Sequence, residues 1–191
     1  FKTNASRFDW DPIDENILRF NWDDPYKDVD INSTPARELV DMTSEGNELM
    51  ATDPGKRGLR FNALNAEFDF SRNIIKANGV RFINTGDAAV IPHNGEVTIY
   101  EKADIASFTK SRILAGRENK FHELYNASVK ISSGNKFKGS GDYDYIDENK
   151  TVQTIHFDTV WFQNTTRGSA TIPAELDFKF SPHFAFDGRA E

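Results

Sequence analysis

Leu64-Asn65-Ala66-Glu67-Phe68-Asp69-Phe70 alternates apolar and polar residues without a break. In an extended chain Leu64, Ala66, Phe68 and Phe70 fall on one face and Asn65, Glu67 and Asp69 on the other. This is the pattern of an antiparallel strand buried on one side only. The same alternation recurs on both sides of it. Leu18, Phe20 and Trp22 share a face. Tyr125, Ala127, Val129 and Ile131 alternate with Asn126, Ser128 and Lys130, and Ile172, Ala174, Leu176, Phe178 and Phe180 alternate with Glu175, Asp177 and Lys179. Turn signals separate the runs: Asn78-Gly79, Asn94-Gly95, Ser133-Gly134-Asn135, Ser181-Pro182 and Asp187-Gly188. The expected fold is all-β, an antiparallel two-sheet sandwich or twisted β-roll with at most one short helix. That helix would start at Ser33-Thr34-Pro35, run through Leu39, Val40 and Met42, and stop at Gly46. Residues 103–121 fit neither period.

Working outward from Phe68-Asp69-Phe70, a near-repeat emerges. Phe8-Asp9-Trp10 precedes Ile13 to Asn16 and an apolar strand. Phe68-Asp69-Phe70 precedes Ser71-Arg72-Asn73 and Ile74-Ile75. Tyr143-Asp144-Tyr145 precedes Ile146 to Asn149 and the run Val152 to Phe157. Each is aromatic–Asp–aromatic, a polar turn ending in Asn, and a return strand. Leu176-Asp177-Phe178 is a looser fourth copy. The physical reading is a repeated hairpin, with two rings inward, Asp outward and Asn in the tolerant turn position. Such units suit an elongated β array, although the pattern also arises by chance in acidic β-rich chains.

Composition bounds the rest. The 191 residues suit one domain with a sizeable core, or at most two small ones. Phe outnumbers Leu 16 to 8, which favours strands. Acidic residues exceed basic ones by 30 to 23, and the net charge of −7 argues against nucleic acid or an anionic membrane as the main partner. With no Cys there are no disulfides, thiolate metal sites or cysteine nucleophiles. No run is apolar and long enough to span a membrane. The chain opens on Phe1 and closes on Phe184 to Glu191, which read as strand and turn, so residues 1–191 are expected to be one β domain cut from a larger multi-module protein.

Candidate chemistry is sparse. Asp9, Asp11 and Asp14, and again Asp142, Asp144 and Asp147, form D-x-D-x-x-D. Alternate Asp residues on a strand share a face and could hold Ca²⁺, or simply be a solvated face. Trp10, Trp22 and Trp161 could stack sugar rings, or pack in the core. His93, His122, His156 and His183 are scattered, with no metal-ligand spacing. Gly139-Ser140-Gly141 reads as glycine in a strand, at a bulge or close backbone approach. No carboxylate pair is singled out for hydrolysis. No catalytic residue and no cofactor is indicated.

A wider order of motifs resembles a known group. Leu59-Arg60-Phe61-Asn62-Ala63 leads to Ala66 to Phe70, then Ile75 to Ile83, Asp87-Ala88-Ala89-Val90-Ile91-Pro92, Leu124 to Val129, Gly141 to Glu148, Gln153 to Phe157 and Ser181-Pro182-His183-Phe184. This resembles internal modules of very large envelope or secreted proteins of Bacteroidota, over about two thirds of the chain. That group carries no activity to transfer. Locally, Ala66-Glu67-Phe68-Asp69 with Asn73 to Val80 resembles OstA-type repeats of lipopolysaccharide-transport proteins, open β-rolls with a lipid-carrying interior. The resemblances imply a bacterial cell-envelope or extracellular setting. The first functional expectation is a non-catalytic structural or interaction module, partnered by neighbouring modules. The second is a ligand-binding module, for glycan through exposed Trp or for lipid through a Phe-lined groove. The third is a hydrolase with paired carboxylates.

Overall fold

Strands make up 54 % of the structure and no helix among the described residues reaches seven residues, so the period-two pattern is realised as an all-β fold. The computed structural model describes residues 1–5, 7–10, 13, 16–44, 48–116 and 122–191. Its strands are β1 (Lys2–Thr3), β2 (Arg7–Trp10), β3 (Ile17–Asn21), β4 (Glu48–Met50), β5 (Arg60–Asn62), β6 (Asn65–Asp69), β7 (Ile74–Asn78), β8 (Ile83–Thr85), β9 (Ala88–Ile91), β10 (Val97–Tyr100), β11 (Asp104–Ile105), β12 (Phe108–Ala115), β13 (His122–Ser133), β14 (Lys136–Ile146), β15 (Val152–Gln163), β16 (Thr165–Ile172), β17 (Lys179–Ser181), β18 (Phe184–Ala185) and β19 (Gly188–Ala190). Among the described residues they form a large sheet, β1-β4-β5-β8-β9-β12-β13-β14-β15-β16-β19, a smaller one, β11-β10-β7-β6-β3-β2, and the β17-β18 hairpin.

The smaller sheet follows the alternation closely. Its inward face carries Phe20, Ala66, Ala77 and Val97 in one row and Leu18, Phe68, Ile75 and Ile99 in the next. Phe20, Ala66, Ile75, Ala77, Val97 and Ile99 of these rows pack with Phe61, Ile83, Val90, Ile113 and Val129 of the large sheet in one continuous core. Its outward face is polar, with Arg19 paired to Glu67 at 2.9 Å. Three of the four near-repeats are hairpins: β2-β3, β6-β7 and β14-β15. The fourth is not. After Ile172 comes Pro173, which has no N–H for the ladder. A 3₁₀ turn follows at Ala174–Leu176, and Asp177 is left-handed at φ 46°. The expected strand 172–180 is therefore broken in two. Asn78-Gly79 and Asn94-Gly95 also differ from hairpin turns. Each is a corner where the chain leaves one sheet for the other, and the corners touch through Val80 N–H donating to Gly95 C=O at 3.0 Å.

The large sheet is bent. Gly86 N–H donates to Gly134 C=O at 2.9 Å, and the Thr85 hydroxyl to Ser133 C=O at 3.1 Å. Asp87 accepts the Thr166 N–H at 3.0 and 3.1 Å and the Thr166 hydroxyl as well. In a flat sheet, β9 and β16, five places apart in the order, would be roughly 24 Å apart. The bend has a local cause. The ladder registers slip at β12, β13 and β15, and Lys110 and Asn126 take positive φ of 54° and 49°. These are β-bulges, which bend the bulged strand and sharpen its twist. They also explain why residues 103–121 fit no simple period, since Phe108 and Ile113 face the core on either side of the slip at Lys110. The bulge at Asn126 reverses one assignment. Tyr125, expected inward with Ala127, faces outward beside Asp142, and Leu124 turns in instead. Gly139 is a close approach, as its sequence setting suggested: a methyl group there would come 2.7 Å from the Ser128 carbonyl oxygen.

Over β9 and β12 the outer face of the large sheet is covered by residues 22–44. Here Ala36–Leu39 forms a single helical turn, α1, after Pro35, with no side-chain cap; Gly46 lies outside the described residues. Ile31, Ala36 and Leu39 pack on Ile91, and Val40 on Ala89 and Leu114. Strand β9 is thus buried on both faces, which is why Ala88-Ala89-Val90-Ile91 is a continuous apolar run. The segment is anchored by a buried ion pair. Arg81 Nη1 donates to Asp24 Oδ2 at 2.8 Å, Arg81 Nε to Met42 C=O at 3.0 Å and Nη2 to Ser44 Oγ at 2.9 Å, with the Tyr26 ring 5.0 Å from the guanidinium carbon.

Candidate functional site

The three tryptophans anticipated for glycan stacking do not converge. Trp22 is 7 % exposed and sits in the main core, its Nε1 without a hydrogen-bond partner among the described residues. Trp161 is half-buried on the large sheet, opposite Lys138 and Arg167. Only Trp10 presents a wide face to solvent, at 53 %.

Asp142 and Asp144 do share the outer face of β14, as alternation requires, and each accepts hydrogen bonds from neighbouring side chains. Asp142 accepts from His156 Nδ1 at 2.7 Å and Asn126 Nδ2 at 3.1 Å. Asp144 Oδ1 accepts from the Tyr125 hydroxyl at 2.7 Å and the Thr154 hydroxyl at 2.8 Å. Asp147 is not with them. It closes the β14-β15 turn, accepting the N–H groups of Asn149 and Thr151, each at 2.8 Å. Among the described residues no group of three or more His, Asp or Glu side chains could hold a metal ion. Asp9 pairs with Arg7 at 3.1 Å and accepts from Asn21, while Asp11 and Asp14 lie outside the described residues. The hydrogen bonds from His156 and Asn126 hold the Asp142 carboxyl below its usual range, against a smaller opposing effect of burial. A general acid of a hydrolase needs the opposite shift.

That depression gives a sign for acid stability. A carboxyl with a lower pKa in the folded state stabilises the fold above its unfolded value, and this contribution disappears as pH falls through the folded value. Acid unfolding below the ordinary carboxyl value of 3.8 is therefore expected to draw on Asp142. In Asp142→Asn the acid limb, followed by circular dichroism, should be shallower than in the parent. An unchanged limb would show that the His156 contact carries no linkage.

Two features stand out that the sequence reading did not assemble. The first is a groove of about 500 Å³ inside the bend of the large sheet. Leu124, Tyr143, Phe157 and Val160 form its apolar floor, with His122 and Thr166 beside them. The His122 Nδ1 lies 3.1 Å from the Tyr143 hydroxyl. Phe157 sits against Gly168, where a methyl group would come 2.6 Å from its ring. This groove exists because the six strands of the smaller sheet cannot cover all eleven of the larger.

The second feature is the open end of the smaller sheet. Phe8 and Trp10 belong to its inward face, yet they are 55 % and 53 % exposed. Phe70 continues the patch, with its ring centroid 5.4 Å from that of Trp10 and 4.5 Å from that of Phe68. Phe8 stands edge-on to Phe20 at 5.4 Å. The β2 strand beneath these rings ends the sheet, with no further strand on its other side among the described residues. Comparison with family models, with curated proteins and with solved structures gives no match.

Proposed function

We propose that this chain works by contact and not by catalysis, as a structural or interaction module of a larger bacterial cell-envelope or secreted protein. The observation that carries this reading is the uncovered aromatic face at Phe8, Trp10 and Phe70, beside a β2 edge that no strand of the described residues pairs. A contiguous apolar patch beside a free strand edge marks an interaction surface, because solvent exposure of both is costly and invites association. The envelope or extracellular setting rests on the order of motifs described above. Among the described residues no helix is long and apolar enough to cross a membrane.

A second reading is favoured by the groove over Leu124, Tyr143, Phe157 and Val160, which is of the size and polarity that hold small apolar ligands. It fits a lipid-like ligand better than a sugar, since no two exposed tryptophans are brought together. One experiment separates the two readings. The purified protein is passed over a glycan array, and its organic extract is analysed by mass spectrometry after expression in a bacterium. The contact reading expects neither a bound glycan nor a stoichiometric lipid. A stoichiometric lipid that is lost in Val160→Trp would replace it with the ligand-binding reading.

A further inference from the structure

We propose that β2 pairs antiparallel with β2 of a second copy of this chain, joining two six-stranded sheets across a two-fold axis at Phe8. The proposal rests on the contact reading above and names its partner. The argument comes from the polar face of the same sheet. Lys76, Glu67, Arg19 and Asp9 lie directly opposite one another in successive strands. Their charges alternate, positive then negative, and the row stops on Asp9 at the open edge. The neighbouring row, Asn78, Asn65, Asn21 and Arg7, stops on a positive charge. The edge thus presents Arg7 and Asp9 on one face, with Phe8 between them on the other.

An added antiparallel strand must keep each side chain on its own face, so only residues of like parity can be opposed. For β2 against itself this leaves two registers centred within the strand. Centred on Asp9, the two aspartates oppose each other, which is unfavourable. Centred on Phe8, Arg7 faces Asp9 of the second copy and Asp9 faces its Arg7. The charge alternation then continues through the junction. On the other face the two Phe8 rings meet, and the exposed aromatic patches become neighbours. The edge is complementary to itself in charge and in shape class at once, as an isologous contact requires.

The absence of cysteine makes the test direct. In Phe8→Cys the two introduced thiols would be opposed with Cβ atoms about 4.5–5.5 Å apart, close enough to bridge with a small adjustment. Mild oxidation is expected to give a covalent dimer at high yield. In Trp10→Cys the equivalent thiols would be displaced by four residues, roughly 13 Å along the strand, and should not bridge. Sedimentation of the parent should show a monomer–dimer equilibrium. Arg7→Asp should weaken it about tenfold, and the charge exchange Arg7→Asp with Asp9→Arg should restore it. Equal bridging at both positions, bridging only in a mixture of the two cysteine variants, or a parent that stays monomeric at high concentration would each overturn the proposal. A monomeric parent whose lipid and glycan screens are empty overturns this pairing alone. A stoichiometric ligand in those screens overturns the contact reading beneath it.

Discussion

Asp24→Ala is expected to destabilise the protein by about 3–5 kcal/mol, the range for removing one partner of a buried ion pair. The loss comes less from the missing attraction than from what remains. The Arg81 guanidinium is 6 % exposed and would keep its charge with no carboxylate of the described residues paired to Nη1. Its bonds to Met42 and Ser44 are to neutral acceptors and cannot neutralise it. The consequence is structural as well as energetic, because Asp24 helps fasten residues 22–44 over β9 and β12, beside the bonds that Arg112 donates to the Thr34 and Ile31 carbonyls. Urea unfolding gives the measure, with a fall in midpoint at unchanged slope as the signature. Replacing both partners, Asp24→Leu with Arg81→Met, should recover most of the stability, since a well-packed apolar pair removes the buried charge altogether. A single variant that loses under 1 kcal/mol would show that the pair is hydrated.

The second large effect is expected at Phe178→Ala, at about 3–5 kcal/mol for a fully buried ring. Phe178 is 1 % exposed and packs with Ile155, Ala170 and Ile172 in a cluster separate from the main core. It holds the C-terminal strands to β15 and β16, together with two bonds between Gln153 and the Lys179 backbone at 2.7 and 2.8 Å. The damage should therefore be local. Hydrogen exchange is expected to show lost protection over residues 179–190 and retained protection over 83–115, as separately cooperative units behave. Uniform loss across both segments would show that the clusters unfold as one.

Much of this architecture was legible in the chain. Period-two runs at 17–22, 64–70 and 127–131 are strands with the faces expected of them, and three aromatic–Asp–aromatic segments are hairpins. What escaped has physical reasons. Asn126 carries a bulge, and one extra residue reverses every side chain beyond it, so Tyr125 was placed on the wrong face. Leu176 and Phe178 keep the alternation of a strand through a 3₁₀ turn, because alternation cannot register the missing N–H of Pro173. The Arg81–Asp24 pair joins residues 57 positions apart, and nothing local marks Asp24 among its acidic neighbours. The candidate surfaces were harder still. Trp10 and Trp22 look equivalent as alternating aromatics, and only the extent of the opposing sheet decides that one is exposed and the other buried. The groove depends on the bend, and the bend on bulges whose cumulative effect no single residue announces.

Strand β9 carries a consequence for how this sequence can drift. Along β6 or the outer rows of β13 and β14 alternate positions look outward, and a codon change there meets mostly water. At Ala88-Ala89-Val90-Ile91 that escape is missing, because the smaller sheet lies on one side and residues 22–44 on the other. A carboxylate or ammonium group at any of the four would be desolvated whichever way it turned. Descendants of this chain should therefore vary freely along β6 or β14 at alternate positions. These four consecutive residues should stay small or aliphatic, a short invariant bar in an otherwise alternating pattern.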